Sequence, residues 1–167
     1  LNEDRLIEML QKQSGPALLL VLDGVTDPHN LGACLRTAEA AGVDAVVTPH
    51  DRAAGLTPVV HKVSPGAASR IAFVQVANLA RAMRAWRDLG VWIAGASADA
   101  QTSIYDLDLT RATALVLGAE GRGLRRLTAE HCDHLVYLPM AGGESLNVSV
   151  AAGICLYEAV RQRGHRN

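Results

Sequence analysis

Residues 17–41 read ALLLVLDGVTDPHNLGACLRTAEAA, and this stretch decides the fold class. Its first six residues, Ala17–Leu22, form a continuous apolar run, which is typical of a strand buried on both faces of a parallel sheet. A polar loop follows, and a helix is predicted over Leu31–Ala41, with Asn30 placed to cap its start and Gly42 to follow its end. The stretch therefore predicts a strand, a loop and a helix in succession.

The same alternation continues along the chain. Six short apolar runs are predicted strands: Ala17–Leu22, Ala45–Thr48, Ile71–Val76, Val91–Ala96, Ala114–Leu117 and Leu135–Leu138. Four segments are predicted helices: Leu31–Ala41, Leu79–Leu89, Leu124–His131 and Val148–Gln162. This order predicts an α/β fold with a mostly parallel six-stranded sheet flanked by helices. Residues 1–16 are predicted to be an N-terminal helix and linker, and residues 17–167 one domain.

Composition bounds the class of protein. Of the 167 residues, 49% are hydrophobic and 20% are charged, as in ordinary globular proteins, and no apolar run is long enough to span a membrane. The net charge of −1 does not favour non-specific nucleic-acid binding, although nearly all cations are arginines, which suit phosphate and base edges. A genomic bias toward arginine would explain that equally well. Three cysteines without a CxxC pair, and no signal-peptide pattern, predict a cytoplasmic protein.

Three loops at the ends of predicted strands carry candidate chemistry, because ligands of parallel sheets bind beyond the carboxyl ends of the strands. The first contains Asn30 at the predicted helix start, and Arg36 lies one turn into the helix. A helix N-terminus with a nearby arginine favours binding of an anion. The alternative is that Asn30 only caps the helix and Arg36 only pairs with Glu39 or Asp44.

The second loop, residues 118–124, has three glycines around Glu120, and glycines allow a close approach of backbone to a ligand. It matches neither the GxGxxG nor the Walker pattern.

The third loop, residues 139–147, has a double glycine before Ser145 and Asn147, and either of these could simply cap the final helix. His131, Cys132 and His134 match no common zinc spacing, so no metal is expected.

Together these segments resemble the motifs of the SpoU-TrmH branch of the SPOUT methyltransferases. The matching runs are Asn30-Leu31-Gly32-Ala33-Cys34-Leu35-Arg36, Leu117-Gly118-Ala119-Glu120-Gly121-Arg122-Gly123-Leu124, Leu138-Pro139-Met140 and Ser145-Leu146-Asn147-Val148-Ser149-Val150-Ala151. The run from Leu22 to Asn30 is most similar to the members that methylate a guanosine ribose in 23S ribosomal RNA (the RlmB group). The similarity covers nearly the whole chain, from about Leu18 to Arg161.

The resemblance implies a C-terminal deep trefoil knot, a homodimer, and an N-terminal RNA-binding domain that this chain lacks. It also implies transfer of a methyl group from S-adenosyl-L-methionine to a ribose 2′-oxygen of RNA. The implied catalytic residues are Arg36, Asn30, Glu120, Ser145 and Asn147. The implied cofactor-binding residues are Leu117, Gly118, Gly121, Leu138, Met140, Ser145, Leu146 and Asn147. Candidate RNA contacts are Arg36, Arg52, Lys62, Arg122, Arg125 and Arg126.

Several alternatives stay open at this level. Arg36 either acts as a base, despite the high pKa of a guanidinium, or stabilises the developing alkoxide while the proton leaves through phosphate or water. The substrate is ribosomal RNA or transfer RNA. A catalytically silent RNA-binding assembly factor and an unrelated α/β nucleotide-binding protein are the rival classes, and the joint presence of the motifs argues against both.

Overall fold

A parallel sheet forms the centre of the computed structural model, which describes residues 1–51, 55–63, 66–119, 123–143 and 145–164. The strands found there are β1 (Leu18–Asp23), β2 (Ala45–Pro49), β3 (Phe73–Val76), β4 (Trp92–Ala96), β5 (Thr102–Ser103), β6 (Thr113–Gly118) and β7 (His134–Tyr137). Their spatial order is β3-β2-β1-β6-β4-β7-β5, and every neighbouring pair is parallel. The predicted α/β class and parallel sheet are thereby confirmed.

Helices connect the strands and cover the sheet. They are α1 (Glu3–Lys12), α2 (Pro28–Ala41), α3 (Pro58–Val63), α4 (Ala67–Arg70), α5 (Leu79–Asp88), α6 (Arg126–Glu130) and α7 (Val148–Gln162), and a 3-10 turn lies at Ile104–Asp106. In the described ranges no helix is long and apolar enough to cross a membrane.

The predicted number of strands was wrong: over the residues that the structure describes, the sheet has seven strands rather than six. The missed strand, β5, contains only Thr102 and Ser103 and pairs with β7 alone at one edge. Two residues at a sheet edge leave no apolar run for a sequence pattern to detect. The trefoil knot and the division into a linker and a domain stay predictions.

The start of α2 also differs from the prediction. The helix begins at Pro28, and Asp27 caps it by accepting a hydrogen bond from the His29 amide at 2.8 Å. Proline suits the first helical position, because its missing N–H has no helical partner there. Asn30 therefore lies inside the first turn and does not cap the helix, which leaves its side chain available for other contacts.

Alternate residues of β1 supply two hydrophobic layers, one on each face of the sheet. Leu18, Leu20 and Leu22 pack with α2 and α7, whereas Leu19 and Val21 pack with α5 and α1. Both faces are thus covered by helices, as the continuous apolar run predicts. The functional consequence lies at the edge, where the carboxyl ends of the adjacent strands β1, β6, β4 and β7 meet.

Candidate functional site

One cavity of about 920 Å³ lies beyond the carboxyl ends of β4, β6 and β7. It is lined by Ala96, Ser97, Ala98, Asp99, Leu117, Gly118, Ala119, Gly123, Leu124, Ala129, Leu135, Tyr137, Leu138, Met140, Ser145, Leu146, Val148 and Ala151. Ligand sites of parallel sheets lie in this position, and the volume suits a molecule of nucleotide size.

Most of the residues predicted to bind a cofactor surround this cavity. Six of them line it: Leu117, Gly118, Leu138, Met140, Ser145 and Leu146. Gly121 falls outside the described residues. Asn147 is not part of the lining; it lies at the start of α7 and contacts Asn30. Residues of two separate loops thus converge on one space, although their binding roles stay predictions.

Gly118 has a structural reason to be glycine. A Cβ atom there would lie 2.0 Å from the carbonyl oxygen of Gly123, which is far inside contact distance. The Gly123 amide also donates to the Ala119 carbonyl oxygen at 2.9 Å, so the backbone returns on itself. The glycine expected to allow approach of a ligand also permits a close approach of the chain to its own backbone.

Asn30 and Asn147 meet although 117 residues separate them. The Asn147 Nδ2 donates to the Asn30 Oδ1 at 3.1 Å. At the same time the Asn147 Oδ1 caps α7 by accepting from the Ser149 amide at 2.8 Å. The first and third motifs are therefore in direct contact, and the capping alternative for Asn147 is also correct.

Arg36 is exposed on α2 and has no hydrogen bond or ion pair with any residue that the structure describes. The alternative partners have other contacts. Glu39 pairs with Arg70 at 2.7 Å, and Asp44 accepts from the Leu18 amide at 2.8 Å. The interpretation of Arg36 as a structural partner of either carboxylate was wrong, and its guanidinium remains available to a ligand or to residues outside the described set.

Asp23, the last residue of β1, is buried in an ion pair with Arg125. The Arg125 Nη2 lies 2.6 Å from the Asp23 Oδ1, and Nε donates to Oδ2 at 3.1 Å. Thr128 on α6 donates its hydroxyl to the same Oδ2 at 2.6 Å. The hydrogen bond with Asp23 raises the pKa of the Arg125 guanidinium. Sequence reasoning missed Asp23, since a carboxylate after a strand gives no sign of its partner.

The remaining predicted RNA contacts differ in their surroundings. Lys62 on α3 is exposed, and Arg126 on α6 is exposed and pairs with Glu130 at 3.0 Å. Arg52, Arg122 and the predicted catalytic Glu120 fall in segments that are not described.

Sequence reasoning also missed the loop after β4. Ser97 and Asp99 line the cavity beside Tyr137. Their signal was available, because polar residues follow a predicted strand there as they do in the other three loops. Only the sheet order, with β4 between β6 and β7, shows that this loop reaches the same edge.

The His131–His134 segment has contacts of its own. The His131 Nδ1 lies 2.8 Å from the Leu127 carbonyl oxygen, its Nε2 lies 3.0 Å from the Arg84 Nη1, and the His134 ring stacks on Trp92 at 5.8 Å. Burial raises the pKa of the Cys132 thiol to about 12. Over the part of the chain that is described, no group of three or more His, Cys, Asp or Glu side chains is arranged to hold a metal ion.

The sequence matches the model of a known protein family. The model of the SpoU rRNA methylase family matches residues 17–157. The chain belongs to this family. The match spans all three motif loops and ends within α7, so the SpoU motifs and the cavity lie in the same part of the chain.

Named relatives of this SpoU chain were found among characterised bacterial proteins. It is 59% identical over 97% of its length to the 23S rRNA (guanosine-2′-O-)-methyltransferase RlmB of Pseudomonas syringae pv. tomato, and spans 65% of that protein. It is 61% identical over 98% of its length to the protein of the same name from Haemophilus ducreyi, and spans 67% of it. The chain therefore spans about two thirds of these relatives.

A solved structure shares the fold. The SpoU methyltransferase AviRb from Streptomyces viridochromogenes, determined in complex with the cofactor AdoMet, superimposes with a TM-score of 0.84 at 32% identity. The superposition covers 91% of this chain and 62% of AviRb.

Proposed function

We propose that the chain is an S-adenosyl-L-methionine-dependent RNA 2′-O-ribose methyltransferase whose substrate is a guanosine of 23S ribosomal RNA. The observation that carries the proposal is the convergence of six motif residues on one cavity at the carboxyl edge of the sheet. The names of the RlmB relatives support the substrate, and the AdoMet complex of AviRb supports the cofactor. A ribosomal RNA substrate would place the enzyme in the cytoplasm.

The cavity has properties that suit this cofactor. Its lining combines leucine side chains with backbone at Gly118, Ala119 and Gly123, so purine and backbone hydrogen bonds can both be accommodated. When bound, S-adenosyl-L-methionine supplies a methyl group on a positively charged sulfur, which is activated for displacement by an oxygen nucleophile. Asp99 would hold the ribose hydroxyls through its carboxylate, and Ser145, Leu138 and Leu146 would order the opposite wall.

The chain's own residues must then orient the RNA 2′-hydroxyl and stabilise its oxygen as the proton leaves. We propose that Arg36 grips a neighbouring phosphate and stabilises the negative charge developing on the 2′-oxygen, while the proton leaves through that phosphate or water. This role needs no deprotonated guanidinium. Its lack of a partner in the described ranges leaves its donors free for this role. Asn30, held by Asn147, would orient the ribose, and Glu120 would orient Arg36.

Cations around the site would contact the RNA backbone. Lys62 and Arg126 are exposed and suit this role, as do Arg52 and Arg122 by their sequence positions. Replacing such a contact should reduce the slope of affinity against salt concentration by about one counterion. Unchanged slopes for the Lys62→Gln variant would mean that this lysine is simply solvated.

A homodimer is part of the proposal. Of the apolar residues of α7, Val148 and Leu156 are buried in the core, whereas Val150 and Tyr157 are 50% and 49% exposed. These two exposed residues are two helical turns apart and lie on the same face of the helix. An exposed apolar face on a helix is a typical association surface. The Tyr157→Glu variant should sediment as a monomer, while Tyr105→Glu, which changes a tyrosine of similar exposure on the 3-10 turn, should not. A dimeric Tyr157→Glu variant would contradict this surface.

The decisive experiment measures binding and transfer separately. Calorimetry should detect S-adenosyl-L-methionine binding, and tritiated methyl groups should appear on a guanosine ribose of unmodified 23S ribosomal RNA. Incorporation into transfer RNA instead would identify the alternative substrate. RNA binding without incorporation would identify a silent assembly factor.

A variant of Arg36 tests its role within that experiment. Arg36→Ala should keep cofactor affinity within about twofold and reduce turnover by about 10²–10³-fold, as expected for loss of a charge-stabilising donor. Arg5→Ala, which removes an exposed arginine of α1 and its surface pair with Glu8, is the control. Loss of cofactor affinity in Arg36→Ala would contradict this division of roles.

A further inference from the structure

Asp23 holds both ends of the glycine-rich loop that borders the cavity. Through its backbone it pairs with Gly118 in the β1–β6 register, where the loop begins. Through its side chain it binds Arg125, where the loop ends, with two contacts of 2.6 and 3.1 Å. The two ends of an eight-residue segment, residues 118–125, are therefore fixed to one residue.

The surroundings make this attachment strong. The Asp23 side chain is 0% exposed and that of Arg125 is 37% exposed, so the pair is protected from solvent on the carboxylate side. Thr128 adds a further hydrogen bond to the same carboxylate, from the first turn of α6. Removing one partner of such a pair leaves a buried charge without compensation, which is strongly unfavourable.

The loop held in this way forms part of the cavity wall. Gly118, Ala119, Gly123 and Leu124 all line the cavity. The Ala119–Gly123 backbone hydrogen bond and the close contact of Gly118 with Gly123 require the loop ends to stay in register. A shift of Arg125 would therefore change the shape of the wall.

We infer that Asp23 and Arg125 form a positioning pair that sets the glycine-rich loop for cofactor binding, and that Arg125 is not a ligand of RNA phosphate. The identity of the cofactor rests on the proposed function. The geometry also explains why Arg125 is unsuited to phosphate. Both of its donor directions toward Asp23 are occupied, and the carboxylate of Asp51 adds further negative charge nearby.

Substitutions in the pair should change cofactor affinity but not the turnover rate or RNA affinity. Arg125→Met and Asp23→Asn should raise the dissociation constant and KM for S-adenosyl-L-methionine about tenfold. The kcat at saturating cofactor should stay within about twofold, since neither residue belongs to the cavity lining. RNA affinity and its salt dependence should be unchanged. Arg125→Lys, which keeps the charge but one contact at most, should restore part of the cofactor affinity.

Arg87 and Asp133 supply a matched control near the amino ends of β4 and β7. The Arg87 Nε lies 3.1 Å from the Asp133 Oδ1, with side chains 47% and 13% exposed. Arg87→Met thus removes a comparable pair whose members do not line the cavity, and it should leave cofactor affinity unchanged.

A ligand-free measurement separates this inference from the proposed function. Amide hydrogen exchange of Gly123, whose N–H is bound to the Ala119 carbonyl, should accelerate at least tenfold in Arg125→Met and stay unchanged in Arg87→Met. A wild-type chain that binds no S-adenosyl-L-methionine would contradict the proposed function, while the exchange result would still decide whether the pair holds the loop.

The outcome that overturns the inference is specific. If Arg125→Met lowered RNA affinity and flattened its salt dependence while cofactor affinity and Gly123 exchange stayed at wild-type values, Arg125 would be an RNA contact. Should Asp23→Asn fail to fold, Arg125→Lys and Thr128→Val carry the test, because each of them leaves the buried carboxylate with at least one partner. Thr128→Val should also raise the cofactor dissociation constant, and wild-type affinity in both variants would refute the positioning role.

Discussion

Replacing Asn147 by serine should separate the two roles of this side chain. Asn147 caps α7 through Oδ1, at 2.8 Å from the Ser149 amide, and holds Asn30 through Nδ2 at 3.1 Å. Serine is as good a helix cap as asparagine, but its hydroxyl is too short to reach Asn30. Asn147→Ser therefore keeps the cap and loses the link, whereas Asn147→Ala loses both.

The magnitudes follow from these two contacts. Loss of the cap costs about 1 kcal/mol, and loss of one neutral, exposed hydrogen bond costs about 0.5–1 kcal/mol. Asn147→Ala should thus lower stability by about 1.5–2 kcal/mol, which lowers Tm by roughly 3–8 °C for a chain of this size. Asn147→Ser should lose about 0.5–1 kcal/mol. Both variants should reduce the single-turnover rate of methyl transfer about tenfold, since Asn30 is no longer held in place.

The assay combines thermal unfolding with single-turnover transfer to RNA at saturating cofactor. Asn78 offers a matched control, because it is also an asparagine that caps a helix. Its Oδ1 accepts from the Arg81 amide at 3.0 Å at the start of α5, and it is not among the cavity residues. Asn78→Ala should lose about 1 kcal/mol of stability and no transfer rate. A wild-type transfer rate in Asn147→Ser would refute the reasoning that the link to Asn30 serves catalysis.

Three further perturbations test the fold and the site. Gly118→Ala should reduce cofactor affinity, measured by calorimetry, about tenfold or more, because the new Cβ would lie 2.0 Å from the Gly123 carbonyl oxygen. Unchanged affinity would contradict the close approach of Gly118 to Gly123. Arg163 donates to four backbone carbonyl oxygens at 2.8–3.1 Å. Arg163→Lys should therefore lower the free energy of unfolding by roughly 2–4 kcal/mol, measured by urea unfolding. A loss below about 0.5 kcal/mol would show that these contacts contribute little. Burial raises the pKa of the Cys34 and Cys155 thiols from 9.0 to about 12. Native protein should therefore resist alkylation at pH 8, and its stability should be retained below pH 9 and fall between pH 9 and 12, because the unfolded thiols ionise first. Rapid labelling of Cys34 or Cys155 in the native protein at pH 8 would contradict that burial.

Much of the cavity could be predicted from sequence because the relevant residues lie in short contiguous segments. Glycine-rich loops after apolar runs predict backbone close to the carboxyl edge of a parallel sheet, and the structure brings Gly118, Leu138 and Leu146 to one cavity there. The start of α2 was misplaced because Pro28 and Asp27 give a competing start signal two residues ahead of Asn30. The resemblance to the SpoU family supplied the roles, since spacing alone leaves structural explanations open for each loop.

What the sequence determined by itself was the α/β class, the main strands and the motif loops, because burial and periodicity are local properties of a chain. Only the tertiary structure decided which distant residues meet. The sheet order brings Ser97 and Asp99 to the cavity, and folding joins Asn30 to Asn147 across 117 residues and Asp23 to Arg125 across 102. Such pairings depend on how the strands are ordered and how the loops return, and no local pattern of residues contains that information.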